Sequence, residues 1–340
     1  MKRILQILLV ILILGAVGTL LYSFFLAGDA GEPKEQQSAS GVTKLNDDQA
    51  ISPINSFSGD AIWYGLSDGK LMWYDLNKKS ASEYPLPQVL GESFTKIMWP
   101  RTGNDFISLG NYEGVPTYNY FQYATRRYAT LNKNILSLDW MSDSRRIVVI
   151  WKSGSGKTQL VTSNSDGSGY KVLTDLPWVD LVPKASPVND TALLVRSAPD
   201  GEVNRIYLFD LVTGSYSPIV ERGKNLAAVW APKGDRFAFT RLVGNDSKLF
   251  IHDMVSGDDT DLGIITSIDK VAFGADGQSM YIAAPRQDSP GEELIRVNLL
   301  SNEKTLLRNL DPNIRARNLL AIGQEIYFIN SVDGKIYRAN

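Results

Sequence analysis

The 340-residue chain has no cysteine and one histidine, His252. Without thiols there can be no disulfide, thiolate metal site or cysteine nucleophile. A single imidazole excludes a multi-histidine metal centre within the chain, and nothing near His252 in sequence forms a catalytic triad. No G-x-S-x-G turn is present, so a serine-hydrolase half is missing. Charge of neither sign dominates: 35 Lys and Arg face 37 Asp and Glu. That balance argues against a nucleic-acid surface. The acidic stretch GDDTDL (257–262) lacks the D-x-D-x-D-G…E spacing of a calcium loop and reads as a solvated turn. No cofactor is expected.

One stretch imitates a nucleotide site. WKSGSGKTQLV, from Trp151 to Val161, contains Gly-Lys-Thr. A phosphate-cradling loop needs G-x-x-x-x-G-K-[ST] ahead of a helix, and five residues before Gly156 stands Trp151 instead of glycine. The flanks RRIVVIW and TQLVTS are short and β-branched, so the Gly/Ser cluster is predicted to be a hairpin loop. No nucleotide partner is expected.

What the sequence does have begins with ILQILLVILILGAVGTLLYSFFL, running uncharged from Ile4 to Leu26. At 1.5 Å per residue it would measure about 35 Å as a helix, enough for a hydrocarbon layer of about 30 Å. Lys2 and Arg3 precede it, while Asp29 and Glu32 follow. The positive flank should stay cytoplasmic, placing the rest outside. We expect a transmembrane anchor over 1–27, a single-pass chain at the cell membrane and a flexible polar tether over 28–40. The rival reading is a cleaved signal peptide with a small-x-small site at Gly28 and Ala30; its apolar region would be unusually long.

From 41 to 340 the chain is short strands and turns with a recurring rhythm. Phe57, Trp99, Trp140, Ala185, Trp230, Phe273 and Leu320 occupy equivalent places, 41 to 47 residues apart. Each unit repeats a strand ending at that position, a turn, an apolar second strand (AIWYG, RIVVIW, RFAFT, EIYFI), a third strand (KLMWYDL, RIYLFDL, KLFIHDM) and a more polar fourth. Four antiparallel strands per 43 or so residues is the size of a propeller blade. We therefore expect an all-β fold, a seven-bladed β-propeller with six blades as the alternative. The last unit stops after its third strand, so GVTKLND (41–47) is expected to supply the missing one and hide two sheet edges.

The segments WAPKGDRFAFT, FGADGQSMYIA and SNSDGSGYKVLT resemble the WD40-like repeats of TolB-type propellers. The resemblance covers about residues 41–340 and implies a fold, an extracytoplasmic setting such as the periplasm, and no particular activity.

Candidate chemistry is sparse. His252 aligns with Tyr74 and Phe209, which points to aromatic packing, and the recurring Asp75, Asp210 and Asp253 are expected to cap turns. Six aromatics crowd NYEGVPTYNYFQYATRRYA (111–129), and alternating aromatics on a strand mostly pack between blades. A partner would meet the rim formed by the loops between second and third strands and between blades; there we place Tyr112, Trp178 and Arg286. The expected function is a non-enzymatic binding or scaffolding module for a protein, peptide or glycan of the cell envelope. The alternative is an envelope enzyme, a glycan hydrolase or lyase, with carboxylates at the central channel.

Overall fold

The computed structural model describes residues 41–56, 58–87, 93–112, 114–196 and 202–339, Tyr112 through its backbone only. These form seven four-stranded antiparallel sheets. The first six blades span 51–84, 94–130, 135–176, 181–223, 227–265 and 271–309. The seventh combines three strands within 316–339 with Val42–Lys44. Seven blades, not six, is the count. The one helical turn among the described residues is a 3-10 turn at Ile268–Lys270.

The apolar runs explain the layout. The second strands, such as Arg146–Lys152, Thr191–Arg196 and Ser279–Pro285, are buried on both faces over consecutive residues. A strand with two dry faces lies between two sheets. The fourth strands Ser80–Tyr84 and Lys304–Asn309 are largely exposed, so polarity rises from the inner strand to the outer edge of a blade.

Each hydrophobic cluster lies between two neighbouring blades. Ile62 and Tyr64 of blade 1 meet Tyr327 and Ile329 of blade 7, and Leu71 of blade 1 meets Phe94 and Phe106 of blade 2. Ile107 packs on Trp140, Val148 on Leu194, and Leu193 on Phe239. Ala238 packs on Met280, and Tyr281 on Phe328. Seven interfaces for seven blades make a closed ring.

Hydrogen bonds stitch the inner strands together. The indole N–H of Trp99 donates to the Ser52 carbonyl of blade 1 (2.7 Å), Trp140 to Met98 of blade 2 (2.9 Å) and Trp230 to Lys184 of blade 4 (2.8 Å). The recurring tryptophan therefore fills an interface and binds the preceding blade's backbone. Where blade 4 has Ala185 instead, its amide N–H donates to Asp139 of blade 3 at 2.9 Å. Between blades 6 and 7, buried Glu292 accepts from the Ala316 amide at 2.7 Å and pairs with Lys270. Phe57, the expected equivalent in the first unit, lies outside the described residues.

At the ring's seam, Val42–Lys44 pairs antiparallel with Ile336–Ala339, in the register Val42↔Ala339, Thr43↔Arg338 and Lys44↔Tyr337. Buried Asn46 accepts the Ile336 amide at 2.7 Å. The expected anchor from Ile4 to Leu26 and the tether over 28–40 lie outside the described residues; among the described residues no helix is long and apolar enough to cross a membrane.

Trp140→Phe keeps an aromatic ring but orphans the buried Met98 carbonyl. It is expected to lower unfolding free energy in urea titration by about 1–3 kcal/mol. An unchanged midpoint would mean that the indole bond contributes nothing to blade cohesion.

Candidate functional site

Several residues with chemical potential are occupied by the scaffold. His252 is buried, stacks on Phe237 at 4.8 Å and lies 2.8 Å from Asp259 through Nδ1. Asp259 and Asp261 of the acidic stretch are likewise engaged, the latter accepting the Gly263 amide at 2.7 Å. Asp75 accepts the Asn77 and Lys78 amides, Asp210 those of Val212 and Thr213, and Asp253 those of Val255 and Ser256, all at 2.8–3.0 Å. Each closes the turn between third and fourth strands. Asn298 does the same in blade 6, and Asn330 caps the turn between second and third strands of blade 7. The Gly-Lys-Thr loop is a hairpin turn: the Ser153 amide donates to the Lys157 carbonyl at 2.8 Å, and Gly156 takes a φ of 83°.

The aromatic-rich segment of blade 2 packs where blades meet. Tyr123 stacks on Tyr84 at 4.9 Å and meets Trp63 edge-on at 6.1 Å. Phe121 is fully buried, and the Tyr120 hydroxyl donates to Asp105 at 2.6 Å. Burial and that carboxylate push the Tyr120 phenol up to about 12.

The three residues placed on the partner-facing rim occupy separate places. Tyr112 ends the second strand of blade 2, paired with Val115 across the hairpin. Trp178 lies on the crossing from blade 3 to blade 4, after Lys171–Leu176 and before Leu181–Ala185. Arg286 follows Ser279–Pro285 of blade 6, its amide bonded to the Gly291 carbonyl at 3.1 Å.

Trp178 and Arg286 each line a cleft, and the two clefts share no residue. The Trp178 cleft, of about 440 Å³, is the more organised. The indole stacks on Tyr207 at 4.7 Å and 29°. Arg196 fixes one wall, donating to Asp180 at 2.9 Å and to Asn204 at 3.1 Å; Arg205 fixes another, donating to the Glu221 carbonyl at 2.9 Å. Arg222 completes the lining. The result is a flat aromatic platform with guanidinium groups around it. The Arg286 cleft, of about 410 Å³, is framed by Ile265, Glu293 and Lys304.

A further group converges where sequence reading did not point. Arg101, in the turn after the inner strand of blade 2, donates to the Ala185 carbonyl of blade 4 at 2.7 Å. That bond links blade 2 directly to blade 4 past the end of blade 3's inner strand. Asp139 of blade 3 accepts from the Ala185 amide at 2.9 Å and the Trp140 amide at 3.0 Å. Lys96 and Lys184 stand on the inner strands Phe94–Met98 and Leu181–Ala185. The available signal was a charge inside an apolar inner strand: KIMW, SLDW and VPKA.

No protein-family model matches the chain. The Tol-Pal system protein TolB of Gluconobacter oxydans is 30% identical over 100 residues, which are 29% of this chain and 22% of that protein. The chain thus matches about a fifth of that relative's length. Among solved structures, an oligogalacturonate lyase in complex with manganese is similar with a TM-score of 0.68, 14% identity, and coverage of 90% of this chain and 94% of that one. An oligogalacturonate lyase from Vibrio parahaemolyticus gives 0.63 and 14%, over 90% and 95%. The chain is a β-propeller with a 100-residue stretch similar to TolB; the lyase likeness concerns the fold alone. Among the described residues no group of three or more His, Cys, Asp or Glu side chains is arranged to hold a metal ion.

The turn caps carry a pH signature. Backbone N–H donors hold the carboxyls of Asp75, Asp210 and Asp253 below the ordinary aspartate value of 3.8. The unfolded chain binds these protons more tightly, so the stabilisation is complete above about pH 4 and is lost as pH falls through the folded values. Asparagine keeps the acceptor oxygen without the titration. Replacing all three aspartates by asparagine is expected to shrink the drop in melting temperature between pH 5 and pH 3. Parallel melting curves for the two proteins would contradict this.

Proposed function

We propose that the chain is a membrane-tethered, extracytoplasmic propeller that acts as a non-enzymatic binding or scaffolding module, presenting its rim to a protein partner of the cell envelope. The observation that carries this reading is the Trp178–Tyr207 platform, an aromatic stack beside Arg196, Arg205 and Arg222. Trp, Tyr and Arg supply most of the energy at protein interfaces because each offers large, rigid or multivalent contact area. The flanking Arg196 and Arg205 are held by hydrogen bonds to Asp180, Asn204 and the Glu221 carbonyl, which lowers the ordering cost of association. The uncharged segment from Ile4 to Leu26 supports the tether, and the likeness to TolB supports the envelope setting.

A second reading, an enzyme acting at the channel, is favoured by one observation: Asp139 stands among Lys96, Arg101 and Lys184. A glycan hydrolase would call for paired carboxylates, and this group holds one carboxylate already committed to two backbone amides.

A photo-reactive residue at Val203, on the lip of the cleft, is expected to trap one discrete protein adduct in living cells. Trp178→Ala should weaken that adduct by about tenfold. Adducts arising only from the opposite rim, for example from Ser142, would overturn the assignment; a peptide or a glycan as the captured species would redirect the partner class.

Because the chain lacks cysteine, its orientation is open to clean labelling. A membrane-impermeant maleimide is expected to modify Ser38→Cys in intact spheroplasts while Lys2→Cys stays protected. The reverse pattern, or equal labelling, contradicts the tether.

A further inference from the structure

Between blades 1 and 2 lies a cleft of about 240 Å³ whose hydrogen-bonding groups the scaffold leaves unused. It takes in Asn55 from the end of the inner strand Ile51–Asn55 and Trp63 from the second strand Ala61–Gly65. Trp99, Arg101 and Asn104 join from just beyond the inner strand of blade 2. The indole walls are fixed. Trp63 is held among Trp73, Tyr84 and Tyr123, with ring centroids 6.3, 5.7 and 6.1 Å away. Trp99 is pinned by its bond to the Ser52 carbonyl and packs on Phe106 at 5.5 Å.

The polar groups on those walls are not spent. Asn55 Oδ1 is buried without a hydrogen-bond partner, and among the described residues its Nδ2 has none either. A covered oxygen left unpaired costs stability, so its retention calls for a use. Among the described residues the Trp63 indole N–H also lacks an acceptor. Trp99, Trp140 and Trp230, by contrast, commit theirs to backbone carbonyls. Arg101 commits one nitrogen to the Ala185 carbonyl at 2.7 Å and keeps the rest of its fork. No carboxylate stands among the described residues that line the cleft. A cationic ligand would find no counter-charge there, and a single guanidinium balances at most one negative charge.

We infer that this cleft binds one pyranose ring of a saccharide, with Asn55, Trp63 and Arg101 reading its hydroxyls and the two indoles forming its apolar walls. A carboxamide donates at one end and accepts at the other, which suits two neighbouring hydroxyls that can each do both. The last torsion of an asparagine side chain is broad and two-fold, so Oδ1 can turn from its cover towards the ligand. Indole N–H and guanidinium groups donate to further ring oxygens, while the C–H surface of the sugar lies against aromatic carbon. Apolar walls with a few placed polar groups are the usual make-up of a small-molecule site, and this volume is below that of a drug-sized ligand, so it holds a single ring. With no acid on its described walls the cleft binds without cleaving. It shares no residue with the Trp178 cleft and stands whether or not that cleft docks a protein.

The test follows the indole N–H resonances of the seven tryptophans in the full chain, isotope-labelled and held in a detergent without a sugar headgroup. Glucose, galactose, N-acetylglucosamine and glucuronate are titrated separately, and then the trimer of whichever sugar binds. A saturable shift of the Trp63 resonance, assigned by its loss in Trp63→Phe, is expected with at least one of them. A trimer that binds as well as its monomer identifies a glycan chain end as the source; a trimer that fails to bind identifies a free sugar. Asn55→Leu removes the amide at nearly unchanged shape and is expected to weaken binding by about tenfold or more. Without sugar it should melt no lower than the parent protein, since it also removes an unpaired buried oxygen; this separates lost binding from lost folding. Trp63→Phe, followed at the Trp99 indole, should weaken binding severalfold. Absence of a saturable shift at Trp63 with every sugar, or unchanged affinity in the folded Asn55→Leu protein, overturns the site.

Discussion

A four-stranded sheet of this composition has two apolar faces, and water can be kept from both only by another sheet on each side. That constraint decides the architecture. The second strands of the blades are dry on both sides, as in Arg146–Lys152 and Glu325–Asn330, so no blade can stand at the end of a stack. Closing the stack into a ring removes the ends. The indole bonds of Trp99, Trp140 and Trp230 then fix how neighbouring inner strands meet, and the peripheral strands are free to be polar.

Much of this was legible before any coordinates. The rhythm of Trp99, Trp140, Ala185, Trp230 and Phe273 reflects one repeated local demand, a bulky or tightly packed residue where an inner strand ends. Local demands leave periodic traces. The same holds for Asp75, Asp210 and Asp253, whose turn-capping bonds span two or three residues, and for His252, whose stacking on Phe237 follows from its alignment with Tyr74 and Phe209. The imitation nucleotide loop was legible as a hairpin for a similar reason: its flanking strands are spelled out beside it.

The clefts were less legible, because they are made by residues far apart in the chain. Trp178 was visible as an exposed aromatic in a crossing loop, but its platform needs Tyr207 and its walls need Arg196 and Arg205 from strands further on. Arg286 and Trp178 share a rim by topology and still line different clefts, since a ring distributes equivalent loops around a circumference. The extreme case is Arg101, Asp139 and Ala185, which stand in three successive blades and meet only because the ring brings them together at the Ala185 backbone.

The seam carries a mechanical consequence. Whatever pulls on the chain ahead of Gly41 is transmitted to the propeller through Val42–Lys44, which is held by three residue pairs to Ile336–Ala339 and reinforced by Asn46. A force along that strand loads those pairs together, as shear, and never peels a blade open from its outer edge. The strand that completes the last blade is thus also the clamp through which the ring would bear tension.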